Sequence, residues 1–340
     1  MKKIFFIISL ATLFILSMTL TRPNTAVAQK PVEVSYSVIY PPLHLHTQLI
    51  NEWGKEIEKR TNGRVKITVF PGNTLTPPDK CYDGVVKGIS GAGMAILAYT
   101  RGRFPLSEVI DLPLGYKNAS GATNLVNEFF KKFKPKEFDD TKVMYFHAHA
   151  PGVLFTAKKP VNKLEDLKGM KIRSTGMSAK VVAALGGAPV AMPMSDSYDA
   201  LNRGVVDGTL MPFEPVAGFK LAEVLKYTTL YSGATYSSGF IVVMSKEIWN
   251  AFSPDIQKTI EKINEDWIEK TIKAWDELER LGREAGIKSG MQFITLSKEE
   301  DERWGKAVRP LLDEYVNSAK AKGLPGDEAL KYCLDYLKKF

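Results

Sequence analysis

Cysteine and histidine are scarce in this 340-residue chain, two of the first and four of the second, and no Cys-x-x-Cys pair or metal-ligand spacing occurs. Missing too are the G-x-S-x-G elbow, S-x-x-K, H-E-x-x-H, the Walker loop and G-x-G-x-x-G, so the enzyme classes that announce themselves by short motifs find no support. Neither a low-complexity tract nor a basic run is present, which excludes disordered, collagen-like and rod-like chains and gives no purchase for nucleic acid. The net charge is 46 minus 38, or +8, and falls to +5 once Lys2, Lys3 and Arg22 are set aside. Those three belong to the only long apolar run. Lys2 and Lys3 precede Ile4 to Leu20, and Ala26-Val27-Ala28 follows as a small-x-small cleavage site. We therefore expect a signal peptide removed after Ala28, leaving an exported, periplasmic, soluble chain with no direct membrane insertion. In that compartment Cys81 and Cys333 are free to oxidise, and the sequence leaves open whether they do.

A chain of this length exceeds one core and predicts two domains. Val32 to Ile39 alternates as a strand, Leu43 to Thr61 reads as an amphipathic helix ended by Asn62-Gly63, and Val65 to Phe70 is a second strand. Asp79 is positioned to cap a helix reaching Lys87. Further strands are expected at Lys142 to His149, Val153 to Ala157, Lys171 to Ser174, Pro189 to Met192 and Val206 to Leu210. Helices fall between them at Met177 to Leu185 and at Ser195 to Arg203, the latter capped by Ser195 and stopped by Gly204. This alternation is the mark of α/β lobes with crossover helices. From Pro254 to Ala285 one apolar stripe runs through Ile256, Ile260, Ile263, Trp267, Thr271, Ala274, Leu278 and Leu281, predicting a helix long enough to brace both lobes.

The charged groups that could do chemistry are few. Carboxylate pairs such as Glu277 with Glu279, and the run Glu299 to Glu302, sit at helical spacing and read as solvated faces. Gly88 to Gly93 is glycine-rich, but it follows a helix rather than joining a strand to one, so it reads as close backbone approach. All four histidines fall in two H-x-H pairs, His44 with His46 and His147 with His149. Residues two apart on a strand share a face, so His147 and His149 could act together, and a periplasmic enzyme or metal-binding protein built on that pair is the alternative reading. Arg173 closes a strand and is followed by Thr175, Gly176 and a helix start, the place where α/β lobes gather ligands. A planar guanidinium there is suited to gripping a carboxylate.

The segments Lys163 to Arg173 (KLEDLKGMKIR), Leu185 to Val190 (LGGAPV) and Tyr198 to Gly208 (YDALNRGVVDG) resemble the DctP-type solute-binding proteins of TRAP transporters. So do Gly63 to Pro71 (GRVKITVFP), Gly102 to Leu106 (GRFPL) and the long helix, and the likeness spans essentially the whole chain after Ala28. It implies a two-lobed, periplasmic-binding-protein-like fold with a β-strand hinge. Lobe I would hold residues 29–150 and about 239–275, lobe II residues 151–238 and about 276–310, with a C-terminal helical segment over 311–340. It implies a monomer that is no enzyme, needs no cofactor, and hands a small organic anion, a mono- or dicarboxylate, to membrane permease subunits. A sensor or an ABC permease as the recipient is the alternative. The arginine matching Arg173 is the carboxylate partner in that family, and Tyr40, His44, Tyr99, His149, Thr175, Phe213, Glu214 and Tyr236 take the other cleft positions. One departure bears on the ligand: Phe213-Glu214 replaces a frequent asparagine, and a glutamate in the cleft repels a second carboxylate unless it is protonated or paired. A monocarboxylate with a donor or an aromatic body then stands beside a C4 dicarboxylate.

Overall fold

A computed structural model describes residues 30–340; the expected signal peptide and its cleavage site lie outside these described residues. Two mixed sheets organise the chain. The first has the order β2-β1-β3-β10-β4, from β1 (Val32–Ser37), β2 (Val65–Phe70), β3 (Ala92–Ile96), β4 (Thr141–Ala148) and β10 (Gly239–Ser245). Strands β1, β2 and β3 run parallel, and β10 is antiparallel to both of its neighbours. The second has the order β11-β9-β5-β8-β6-β7, from β5 (Val153–Thr156), β6 (Lys171–Ser174), β7 (Ala188–Ala191), β8 (Gly208–Met211), β9 (Tyr227–Leu230) and β11 (Gln292–Thr295). The chain thus leaves the first sheet after β4 and returns to it at β10.

The two crossings lie side by side. Gly152 bridges Tyr236 in antiparallel fashion, its N–H donating to the Tyr236 carbonyl at 2.8 Å, and Ser237 Oγ donates to the His149 carbonyl at 2.7 Å. The helix Pro254–Lys288, 35 residues and about 50 Å at 1.5 Å per residue, packs on the helix Leu45–Arg60 and β4 at one end and on the short helix Glu214–Gly218 at the other. It braces both sheets, as its apolar stripe predicts. Near its far end the stripe departs from simple spacing, for Leu281 is exposed and Gly282 takes the buried place. A Cβ on Gly282 would stand 2.0 Å from the Phe213 carbonyl oxygen, so only glycine lets the Phe213-Glu214 turn seat against this helix.

Three capping and surface expectations change. Asp79 lies within a 3₁₀ turn, Pro78–Lys80, and caps nothing; the following helix is only Cys81–Val86. Ser195 sits in the 3₁₀ turn Met194–Asp196 and its hydroxyl donates to Asp196. The Glu279 and Glu300 carboxylates are not on solvated faces: Glu279 accepts from the Phe213 N–H at 3.0 Å, and Glu300 accepts from the Leu164 N–H and from Trp304. Both satisfy backbone donors of the second sheet's connections, a pairing that lies far apart in sequence. Gly91 and Gly93 do serve close approach, with Cβ positions that would press on Ile248 and on Cys81 Sγ.

Both cysteines are free and buried in one apolar cluster with the C-terminal helices Pro310–Ala321 and Gly326–Leu337. Burial pushes the Cys81 thiol up to about 11, which favours the protonated form at neutral pH.

Candidate ligand cavity

Strand β6 alternates its side chains, so Ile172 enters the second core while Arg173 turns to the opposite face, paired in register with Val190 and Thr209. Arg173 is 3% exposed. Its Nε donates to the Met192 carbonyl at 3.0 Å and its Nη2 to the Tyr99 hydroxyl at 3.3 Å; that hydroxyl also accepts from the Met194 N–H at 3.0 Å. Among the described residues no carboxylate forms an ion pair with Arg173 and no acceptor pairs with Nη1. A buried cation with neutral partners only is an unusual and costly arrangement, because interior charges are ordinarily paired.

Arg173 opens into a tight cavity of about 50 Å³. Tyr40, Tyr99, His149, Thr175, Glu214 and Tyr236 also line it, so seven of the nine residues singled out from the sequence meet in one place. His44 is set back, stacked on Tyr40 with ring centroids 4.2 Å apart. Phe213 is not at the cavity: its ring is fully buried between Phe155 and Phe293, under the Arg283 guanidinium. Glu214 starts a new helix at this point and turns the chain, which sends neighbouring side chains to opposite sides.

Sequence reasoning missed Trp275, Phe219 and Phe240 in the lining. Trp275 is adjacent to the apolar stripe of the long helix, and a periodic pattern cannot separate core from cavity. Phe240 stands in a strand that reads only as apolar.

Burial sets the protonation of the polar lining. His149 is pushed down to about 4, chiefly by burial and further by the Arg173 charge, against a hydrogen bond to the Ala150 carbonyl. The ring is therefore neutral, and because Nδ1–H donates to Ala150, Nε2 is left as an acceptor. His147, on the same face two residues earlier, is pushed down to about 3 by burial, and its Nδ1 accepts from Trp275 Nε1 at 3.0 Å. Burial likewise holds the Tyr40 and Tyr236 phenols well above their usual range, so both keep their protons. No group of three or more His, Cys, Asp or Glu suited to a metal ion occurs among the described residues.

Glu214 is tied across the cavity's edge. His44 Nε2 lies 2.6 Å from Glu214 Oε1, with both side chains at most 4% exposed. The His46 N–H donates to His44 Nδ1, which places the His44 proton on Nε2, donating to the carboxylate. Gly218 makes room for this pair, since a Cβ there would stand 2.4 Å from Glu214 Oε1 and 2.7 Å from His44 Nε2. A wider groove, between Thr100–Phe104 and the helix Gly176–Ala184, is open to solvent; its Lys180 is already paired with Glu314, and it holds no buried unpaired cation. The smaller cavity is the site with unsatisfied charge.

A family model described as "Bacterial extracellular solute-binding protein, family 7", DctP, matches residues 36–319. A C4-dicarboxylate-binding periplasmic protein of Rhodobacter capsulatus is 26% identical over 92% of this chain and 94% of its own. A crystallised TRAP periplasmic solute-binding protein of Desulfovibrio salexigens is 32% identical, with a TM-score of 0.79 over 91% of this chain and 96% of that one. Another, from Bordetella bronchiseptica with bound mandelate, is 29% identical, with a TM-score of 0.84 over 91% and 99%. Among the described residues no helix is long and apolar enough to cross a membrane.

Proposed function

Since the chain belongs to the DctP family of bacterial extracellular solute-binding proteins, a family of substrate-binding proteins and not of enzymes, we propose that it captures a small carboxylate on Arg173 and delivers it to a TRAP permease. The observation that carries this reading is the 3%-exposed guanidinium, without an acidic partner among the described residues, opening into a cavity lined by aromatic rings. An anion arriving there supplies the missing charge, and the low local dielectric strengthens the pair. The relatives bracket the guest: the Rhodobacter protein is named for C4 dicarboxylates, and the Bordetella structure holds an aromatic hydroxy acid.

The proposed working form is a periplasmic monomer beginning at Gln29. One lobe comprises residues 29–150 and about 239–275, the other 151–238 and about 276–310, with 311–340 as a helical appendage. Bonds made across the cleft, such as Tyr99 to Arg173 and His44 to Glu214, are those that closure forms and opening breaks. Arg173, Tyr40, Tyr99, His149, Thr175, Glu214 and Tyr236 contact the guest. His44 acts through Glu214, and Phe213 supports the turn.

A thermal-shift screen of carboxylates tests this. A guest at a hundredfold its dissociation constant adds about 2.7 kcal/mol, and Arg173→Ala is expected to abolish that gain while leaving a cooperative melt. Shifts that persist in the variant would place the anion elsewhere.

A further inference from the structure

We infer that the cross-cleft His44–Glu214 pair and the Tyr40 hydroxyl restrict the guest to a monocarboxylate whose far end is uncharged and can hydrogen-bond. This rests on Arg173 being the carboxylate anchor. The cavity lining carries one cation, Arg173, and one carboxylate, Glu214; the rest is apolar, aromatic or neutral polar. The first carboxylate of a guest takes Arg173. A second would find no other cation and would face the carboxylate of Glu214 in a poorly solvated space. That carboxylate cannot turn away, because His44 Nε2 holds Oε1 at 2.6 Å and the pair is packed against Gly218. Burying an unpaired charge beside a like charge is a larger penalty than any single hydrogen bond recovers.

Tyr40 supplies the positive half of the selection. It lines the cavity, is 2% exposed, and its hydroxyl has no hydrogen-bond partner among the described residues. A buried hydroxyl without a partner is disfavoured, and a guest hydroxyl or carbonyl satisfies it. The lining also includes Phe219, Phe240 and Trp275, which offer faces and edges to a ring.

The test uses the exported full chain, titrated calorimetrically with benzoate, 3-hydroxybenzoate, isophthalate and succinate, each also against Arg173→Ala. We expect 3-hydroxybenzoate to bind roughly threefold to tenfold more tightly than benzoate, the worth of one net hydrogen bond. Isophthalate and succinate should bind at least tenfold more weakly than benzoate. Tyr40→Phe should erase the hydroxyl advantage, so that 3-hydroxybenzoate and benzoate bind that variant alike, and Glu214→Gln, which keeps an acceptor for His44 but removes the charge, should raise isophthalate at least tenfold relative to benzoate. Should Glu214→Gln fail to fold, Tyr40→Phe and the wild-type ranking still decide. If isophthalate or succinate matched 3-hydroxybenzoate while remaining dependent on Arg173, the inference would fall and the anchor would stand. Equal loss of benzoate and 3-hydroxybenzoate in Tyr40→Phe would overturn it too. Binding that ignored Arg173→Ala, or no binding by any acid, would remove the anchor and the inference together.

Discussion

The wall that the first sheet and its helices give to the cavity carries no formal charge, whereas the wall from the second sheet supplies both Arg173 and Glu214. On the first side stand Tyr40, Tyr99, Phe240, Trp275 and a neutral His149; on the second, the charges are framed by Met194, Met211 and two prolines, Pro212 and Pro215. The difference gives the walls different tasks. A charge acts at a distance and can seize an anion while the cleft is open and wet, while apolar rings contribute only on contact, when closure expels water. On the proposed function, selection by charge and selection by shape are thereby separated in space and in order.

Trp275→Ala should break the uncharged wall most severely. It leaves a void in the first core and an unpaired His147 Nδ1, and is expected to cost about 3–5 kcal/mol in a urea melt. Guests that still bind should keep their dependence on Arg173; losing that dependence would mean the walls are not separable.

Acid tests the neutrality of the same wall. His46, His147 and His149 are neutral in the fold and protonate more readily when unfolded, so the unfolded chain binds more protons between roughly pH 4 and 6.5. Stability therefore rises with pH through that window and is lost on acidification, by about 3 kcal/mol for His149 alone. Asp111 and Glu279 work in the opposite direction, for burial pushes them up to about 8 and about 7, and burial raises Glu137 likewise, so their native protons are favoured as pH falls. Because these carboxylates offset the imidazoles in the whole chain, the test is His149→Gln, which should lose less stability between pH 7 and pH 4.5 than the unaltered protein. An equal loss would mean that this ring is hydrated.

Gly282→Ala should disturb the charged wall by pushing on the Phe213-Glu214 turn, at about 1–3 kcal/mol of stability. It should also relax the discrimination against dicarboxylates, since the Glu214 carboxylate then shifts from its place. Unchanged discrimination would detach the turn from selectivity. The smallest effect is expected from Tyr99→Phe, which removes the hydroxyl joining the two walls through Arg173 and Met194. A loss of about 1 kcal/mol in guest binding, severalfold in calorimetry, is the expectation. No change would show that the bond contributes nothing to closure.

Much of this architecture is legible in the order of residues alone. Alternating apolar residues mark β1 and β2, and the stripe from Ile256 to Leu278 marks the bracing helix, because local periodicity reports which face is buried. Arg173 stands out by its place at a strand end. The caps expected of Asp79 and Ser195 do not form because short 3₁₀ turns satisfy the same backbone donors in another way. Glu279 reads as a surface residue because its partner, the Phe213 N–H, is 66 positions away.

By itself the sequence determined the two α/β sheets, the bracing helix and an arginine suited to an anion, all properties of neighbours along the chain or of a residue type. Only the tertiary structure decided that Arg173 is buried with no described carboxylate in ion-pair contact, that Phe213 serves a core while Glu214 serves the cavity, and that His44 holds Glu214 in place. Each depends on which distant groups share a low-dielectric space, and chain-local patterns carry no record of that.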